Sequence, residues 1–455
     1  MTLTQLRIHG YRGFRLPGVL DLAVPNGTTG SGLTILTGPN NGGKSSIFEC
    51  LRARSSSQAT SFSDGTRHKE VERVEIVYVV DGNEQVLRST AKGSSETERI
   101  HFDDDQSIFV VPSRKTFSPY FGKSIWSREQ FISNSPLPPQ RSAVLTNFEY
   151  RLFSIHREPS AFNTILSRVL GYTPEWAIDL SPQGQHYLKF FNGEHAHSSD
   201  GMGDGLISLF SVVDSLYDSS PGDLIAVDEP ELSLHPTLQK RTSALLEDYA
   251  KDRQIVIATH SPYFVGLGAL AAGGNLARIV TDRNGTRIHQ LSPESKVVIR
   301  RLSQGNLYNP HVFGLDAREI FFQEENIILT EGQEDVLLFP CVAEQLGATF
   351  PGNFYGWGAG GAGNIGHLCR IFQDLGFQKV VALLDGDKGD DATTLSHSFP
   401  SYLFKCIPAI DIRTKPARPA GNLVDGLLDQ DRTIKEQYRD ETAEVFRLIN
   451  LYLDA

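Results

Sequence analysis

The stretch Gly38-Pro-Asn-Asn-Gly-Gly-Lys44-Ser-Ser46 fits the pattern GxxxxGK[ST] in full. Leu33-Thr-Ile-Leu-Thr37 before it is a short apolar run of strand type, and Ser46 to Arg54 after it has the spacing of a helix's opening turns. Strand, glycine loop and helix in this order make an anion site. Gly38, Gly42 and Gly43, with Asn40 and Asn41 completing the loop, let successive backbone N–H groups converge on phosphate oxygens, and the helix N-terminus adds its partial positive charge. Lys44 is expected to reach the terminal phosphates, and Ser45, followed by Ser46, to hold Mg²⁺. An accidental glycine turn would require neither the lysine, nor the hydroxyl, nor both flanks.

At 455 residues the chain exceeds the size over which one core keeps growing, so two domains are expected. Hydrophobic content of 40% and charged content of 21% are those of an ordinary globular protein. No segment reaches membrane-spanning length, and the opening MTLTQLRIHGYRGF alternates like a strand without the apolar core of a secretion signal. A cytoplasmic location without membrane contact is the expectation. Cys50, Cys341, Cys369 and Cys406 are scattered and form no CxxC, which argues against zinc and a disulfide framework. A formal net charge of −11 excludes a surface that coats nucleic acid everywhere, while leaving room for a local basic groove.

Val74 to Val80 and Gln85 to Ser89 are strand candidates joined at Asp81-Gly82-Asn83, and Ser55 to Gly65 is a Ser/Thr-rich loop. Ile108 to Val111 is a further buried-type strand that delivers Arg114, which is best taken as a solvated loop residue. Helical spacing from Phe148 to Leu170 predicts a modest helical insertion over about 120–195. Asp223-Leu-Ile-Ala-Val-Asp228-Glu229 is an apolar strand ending in two carboxylates. Acidic pairs after strands are common. Behind a P-loop, however, Asp228 is placed to support the Mg²⁺ shell and Glu229 to polarise the attacking water. Gln254 to Thr259 is another buried strand, ending in His260-Ser-Pro262.

The run from the P-loop through DEPELSLHP to ATHSP resembles the ATPase head of the ABC-type ATPases of chromosome-maintenance and recombination proteins. Tyr11-Arg-Gly-Phe14 is similar to the start of such heads, and Ser199-Asp-Gly201-Met-Gly203 resembles their signature motif. The resemblance implies ATP held between two heads, with Ser199 and Gly201 of one capping the phosphate bound by the other, and His260 acting as a switch histidine.

The second half opens with Asn326 to Thr330, a buried strand, then Glu331-Gly332 and Asp335 on the first turn of a helix reaching Leu346. Lys379 to Leu384 is a second strand, with Asp385-Gly-Asp387 at its end. In parallel sheets, groups at strand ends converge in one crevice, and carboxylates gathered there repel one another unless cations intervene; all-oxygen donors select Mg²⁺ or Mn²⁺. Between these units Gly358-Ala-Gly-Gly-Ala-Gly363 satisfies GxGxxG, and Asp385 stands where a ribose-binding acid would. Asn353 to Trp357 nevertheless makes a poor buried strand, and that dinucleotide-site alternative leaves the acids unexplained. The order EG(x)₂D, glycine loop, DGD is similar to the TOPRIM domain of topoisomerases, primases and certain nucleases. On that resemblance Glu331 is a general acid/base or metal ligand, and Asp335, Asp385 and Asp387 are metal ligands. Ile410 to Lys415, as a strand, puts Asp411, Arg413 and Lys415 on one face, with Lys405 and Arg418 nearby. Lys415 there is a candidate catalytic cation for the scissile phosphate, or part of a solvated face.

An ABC-type head (1–315) followed by a TOPRIM domain (316–455), an α/β chain throughout with a parallel sheet in the second domain, resembles the OLD (overcoming lysogenisation defect) family of ATP-dependent nucleases, which includes antiphage effectors. The resemblance implies ATP and Mg²⁺, with Mn²⁺ an option at the second site. It also implies DNA as substrate, a homodimer or higher oligomer through the heads, and room for a second defence protein or nucleic-acid element. The rival is an ATP-dependent sensor or scaffold controlling a separate effector, with a vestigial TOPRIM domain. A topoisomerase would need a nucleophilic tyrosine in a DNA-gate domain, for which no stretch has room.

Overall fold

The computed structural model describes residues 1–55, 62, 66–92, 94–102, 107–113, 122–133, 148–192, 195–198, 204–303, 317–416 and 423–455. Contacts divide the chain into two units, Met1–Gln290 and Leu291–Ala455. The boundary expected at 315/316 falls within 304–316, outside the described residues, as do Arg114, Ser199, Gly201, Arg418 and most of the 55–65 loop. The helix Pro293–Ser303, expected in the first domain, groups with the second unit. Ser292, just ahead of it, donates through N and Oγ to Asp374 at 3.0 and 2.6 Å.

In chain order the first unit runs β1 (Leu3–His9), β2 (Gly18–Asp21), β3 (Leu33–Thr37), α1 (Lys44–Ser55), β4 (Glu75–Val80), β5 (Asn83–Ser89), β6 (Thr97–Ile100) and β7 (Ile108–Val111). It continues with α2 (Arg128–Ser133), α3 (Glu149–Arg157), α4 (Pro159–Leu170), β8 (Glu175–Leu180), β9 (His186–Asn192), β10 (His195–Ser198) and α5 (Asp204–Asp218). Then come β11 (Leu224–Asp228), α6 (Pro236–Tyr249), β12 (Gln254–Ala258), α7 (Leu267–Ala272), β13 (Asn275–Asp282) and β14 (Gly285–Gln290). One sheet is antiparallel, in the order β2-β1-β4-β5-β6, and Asp81-Gly82, both at positive φ, makes the two-residue turn between β4 and β5. The other has the order β14-β13-β3-β12-β11-β7 and is parallel apart from the edge strand β14. β3, β11 and β12 are buried at every position, as parallel strands covered on both faces must be. Ile47, Phe48 and Leu51 of α1 share one core with Leu6 and Ile8 of β1, Ile76 and Tyr78 of β4, and Ala226 and Val256 of the parallel sheet. The helix behind the glycine loop is thus held between two sheets.

The insertion is helical only in its first part. After α4 ends at Gly171 (φ 83), Glu175 to Ser198 forms an antiparallel three-stranded sheet, β10-β9-β8. Strand propensity in Glu175-Trp-Ala-Ile-Asp-Leu180 and Tyr187-Leu-Lys-Phe-Phe191 accounts for the change from the all-helical expectation. Arg128 of α2 and Arg151 of α3 both pair with Asp214 and Asp218 of α5, tying the insertion to that helix.

The second unit has a parallel sheet, β16-β15-β17-β18, made of β15 (Ile327–Thr330), β16 (Asn353–Phe354), β17 (Val380–Leu384) and β18 (Leu403–Cys406). Helix Gln333–Gln345 follows β15 and helix Ala362–Asp374 precedes β17. Beyond the sheet, β19 (Asp411–Arg413) pairs in parallel with Gly426–Leu428, and a Cβ on Gly426 would lie 1.9 Å from the Arg413 carbonyl carbon, so only glycine lets these strands meet. The terminal helix Glu436–Asp454 packs Phe446 against Phe350 and Phe339, at ring separations of 4.7 and 6.2 Å.

Candidate functional sites

Two centres form, one in each unit, both at carboxyl ends of parallel strands. In the first, β3 delivers Gly38 (φ 126), Asn41 (φ 61) and Gly43 (φ 104) into a loop ending at Lys44, the first residue of α1. Cβ atoms on Gly38 or Gly42 would lie 2.1 or 2.5 Å from the carbonyl oxygen of Ile279, so β13 packs too closely for any side chain there. The Thr281 hydroxyl donates to the Gly42 carbonyl at 3.0 Å and lies 2.9 Å from the Thr286 hydroxyl, which backs Gly43. Lys44 Nζ donates to the Gly38 and Pro39 carbonyls at 2.9 and 3.0 Å. Burial lowers its pKa, against the pull of Asp228, Glu229 and Glu231.

β11 brings Asp228 to this loop, where its Oδ2 accepts from Ser45 Oγ at 3.0 Å; hydroxyl and carboxylate stand together as a Mg²⁺ shell requires. Glu229 follows at φ 49, a left-handed conformation costly for glutamate, with its N–H held by the Ala258 carbonyl at 2.8 Å. His260, at the end of β12, places Nε2 3.9 Å from Glu229 Oε1: close, but not hydrogen-bonded. Burial lowers the His260 pKa, and Lys44 adds to the effect against Glu231 and Glu229. Glu231, which the sequence did not single out, ties the two loops together. It accepts from the Thr259 hydroxyl at 2.8 Å and from the His260 N–H at 2.5 Å. Its place two residues beyond Glu229 was the available signal.

In the second unit, Glu331 ends β15 and Asp385 ends β17, its neighbour in the sheet. Asp335, on the first turn of helix Gln333–Gln345, accepts from the Gly332 N–H at 2.8 Å. Glu331, Asp335 and Asp385 line one crevice together with Glu334, Asp411 and Lys415. Burial pushes all three acids up, helped by the neighbouring carboxylates: Asp335 from the ordinary 3.8 to about 6, Asp385 from 3.8 to about 8. Glu331 is raised chiefly by burial, while the Asp385 N–H, 3.1 Å from its Oε1, pulls the other way. All donors are oxygens, which suits Mg²⁺ or Mn²⁺. Among the described residues no three such side chains close into a ready-made metal cage.

The four expected ligands are not equivalent in position. Asp387 sits on the short turn Gly386–Lys388 with its side chain half exposed, 3.3 Å from Lys388, and close enough to Glu331 and Asp385 to raise the pKa of both. Asp411 lines the crevice as well. The basic patch expected around it is neutralised: Lys415 pairs with Asp411 and stands 3.9 Å from Glu334, while Arg413 grips Glu334 at 2.6 Å. The expected single strand is broken: β19 ends at Arg413, and Lys415 pairs with Val424 in a separate two-stranded sheet.

The glycine loop has a structural duty. Gly358 (φ 87) lies so close to Gly332 that a Cβ would come within 2.6 Å of its carbonyl carbon, and the Gly361 N–H donates to the Glu331 carbonyl at 2.8 Å. Gly332 itself is extended, and a Cβ there would meet nothing nearer than the Asp335 carboxylate at 4.0 Å. Close packing between the two turns therefore demands glycine at 358 rather than at 332.

Residues 5–147 match an AAA-domain model, and residues 190–266 match another whose description names AbiEii toxins of type IV toxin–antitoxin systems. Residues 321–387 match the TOPRIM domain of proteins like the overcoming lysogenization defect protein. No curated protein matches the chain. Among solved structures, an Smc head bound to the C-terminal winged-helix domain of ScpA aligns with 65% of this chain and 99% of its own, at 15% identity and a TM-score of 0.44. The SMC head domain from Thermotoga maritima aligns with 64% of this chain and all of its own, at 16% identity and 0.38. A Pyrococcus furiosus Smc head aligns with 66% and 98%, at 13% and 0.44. The chain thus joins an AAA-type P-loop ATPase domain to a TOPRIM domain of the overcoming-lysogenization-defect kind.

Proposed function

We propose that the chain is an ATP-dependent, Mg²⁺- or Mn²⁺-dependent DNA endonuclease of antiphage type, in which the nucleotide state of the heads gates cutting at the TOPRIM crevice. The observation that carries the nuclease reading is the gathering in one crevice of Glu331 and Asp385, at neighbouring strand ends, with Asp335 on the first turn of the helix after Glu331. These acids would hold divalent cations, which when bound neutralise charge on the scissile phosphate and activate water. Glu331 is the residue best placed to move a proton. Lys415, once released from Asp411, would face the phosphate. In the head, Lys44 and the loop amides bind the phosphates of ATP, Ser45 and Asp228 hold its Mg²⁺, Glu229 orients water, and His260 senses the terminal phosphate. Ser199 and Gly201 of a second protomer would complete that site.

Incubation of purified protein with supercoiled plasmid, ATP and Mg²⁺ or Mn²⁺ tests the reading. Nicking that Asp385→Asn abolishes and chelation stops is expected. A folded, ATP-hydrolysing protein that leaves plasmid intact with either metal, with and without ATP, overturns it in favour of a scaffold controlling another effector.

A further inference from the structure

Loops that leave neighbouring parallel strands have no ladder to hold them. β11 and β12 pair in register up to Asp228 and Ala258, and from there the chain runs on through Glu229 to His235 and through Thr259 to Ser261. Beyond the Glu229 N–H bond to Ala258, the Glu231 carboxylate joins the two loops, with both oxygens engaged on the same neighbour. Its Oε2 accepts from the Thr259 hydroxyl at 2.8 Å and its Oε1 from the His260 N–H at 2.5 Å. Such charge-assisted bonds are about twice as strong as neutral ones. Glu231 is braced on its own side, its carbonyl accepting from the Leu234 N–H at 3.0 Å. Ser261 has a separate brace, its hydroxyl donating to Gln239 Oε1 of α6 at 2.6 Å. The His260 ring stands 3.9 Å from Glu229 without a hydrogen bond to it, so the backbone at 260 sets where the ring stands, and Glu231 holds that backbone.

We propose that Glu231 is the positioning residue for His260 in ATP hydrolysis. Its carboxylate touches neither nucleotide nor attacking water; it fixes the His260 backbone, and with it the distance between the imidazole and the Glu229 carboxylate. The inference rests on the ATPase reading of the head. A group misplaced by about 1 Å can cost about 10²-fold in rate, which gives one bond to a backbone N–H its leverage over turnover. The role needs two hydrogen-bond partners rather than a base or a charge, because the groups held are a hydroxyl and an N–H that keep their protons. Because Gln239 holds Ser261 independently, loss of Glu231 loosens His260 without freeing the whole loop.

The test is a double-mutant cycle on the full-length chain, read by single-turnover ATP hydrolysis with Mg²⁺ and by the affinity for a non-hydrolysable ATP analogue. Glu231→Ala should slow hydrolysis about 10- to 100-fold with analogue affinity unchanged. In a His260→Ala background the same change should alter the rate by less than about twofold, because a residue that acts only through His260 has nothing left to position. Glu231→Gln should stay near the wild-type rate, since its amide oxygen still accepts from the His260 N–H and its amide nitrogen can donate to the Thr259 hydroxyl. Equal slowing by Glu231→Ala with and without His260 overturns the proposal in favour of a merely structural brace. Glu231→Gln as slow as Glu231→Ala overturns it in favour of a catalytic or cation-binding charge. If Glu231→Ala does not fold, or His260→Ala leaves no measurable rate, the Glu231→Gln protein decides: a loss of about tenfold or more there overturns the proposal. A wild-type chain that binds the analogue but never hydrolyses ATP removes the ATPase reading, and the proposal with it.

Discussion

Glu229 adopts a backbone conformation that glutamate rarely takes, held by its N–H bond to the Ala258 carbonyl, by the Leu232 N–H donating to its own carbonyl at 3.2 Å and by the adjoining Glu231 contacts. Strain of this kind fits a side chain aimed at a reacting group. Glu229→Gln should bind ATP as well as the parent while hydrolysing it about 10²- to 10⁴-fold more slowly, the range for loss of a positioned base. Parent-rate turnover of a radiolabelled or coupled-assay substrate would remove Glu229 from that role. At Gly358 the constraint is steric. Gly358→Ala must hold a left-handed φ and push against the Gly332 backbone, a cost of about 2–4 kcal/mol to the second unit, readable as a lowered denaturation midpoint. A midpoint unchanged from wild type would show that the loop moves away freely.

At the scale of elements, each centre depends on parallel strands ending side by side. Thr330 of β15 pairs in register with Leu383 of β17, so Glu331, one residue on, and Asp385, two residues on, emerge as neighbours, the Asp385 N–H donating to Glu331 Oε1 at 3.1 Å. The arrangement has an electrostatic cost that depends on pH. Because Asp335 and Asp385 are pushed to about 6 and about 8, the metal-free folded unit keeps protons that the unfolded chain sheds near the ordinary 3.8. The contribution of these two acids to stability is therefore full below about pH 4 and is lost as pH rises toward about 8. In chelator, the thermal midpoint of the second unit should fall between pH 5 and pH 8, and Mn²⁺ at pH 8 should restore it. Asp385→Asn should flatten the dependence. An equally steep dependence in that variant would place the titrating groups elsewhere.

For the whole molecule, the two proposed activities, ATP turnover and DNA cutting, are assigned to different compact units, Met1–Gln290 and Leu291–Ala455. Asp385→Asn should abolish nicking with ATP hydrolysis intact, while Lys44→Ala should lose nucleotide binding and, if the heads gate the crevice, lose or deregulate cutting. Loss of ATP hydrolysis in a well-folded Asp385→Asn protein would contradict this division. Because Ser199 and Gly201 are proposed to complete another protomer's site, Glu229→Gln with ATP should run as a dimer or larger in light scattering. A strictly monomeric species with full ATPase activity would exclude that arrangement.

Local chemistry was legible without coordinates. The P-loop, the Asp228-Glu229 pair, the Glu331 and Asp335 spacing and the DGD turn are short-range patterns, because a loop that cradles phosphate or a strand that ends in an acid is built from consecutive residues. The pairing of an ATPase domain with a TOPRIM domain was readable for the same reason. Contacts between residues far apart in the chain were not. That Glu231 clamps Thr259 and His260, that Ile279 closes over the glycine loop, that Gly358 rests on Gly332, and that Asp411 with Lys415 enters the crevice all depend on strand register and crossover packing. No periodicity along the chain encodes such distances; they follow only once the sheets and the helices over them have closed around their cores.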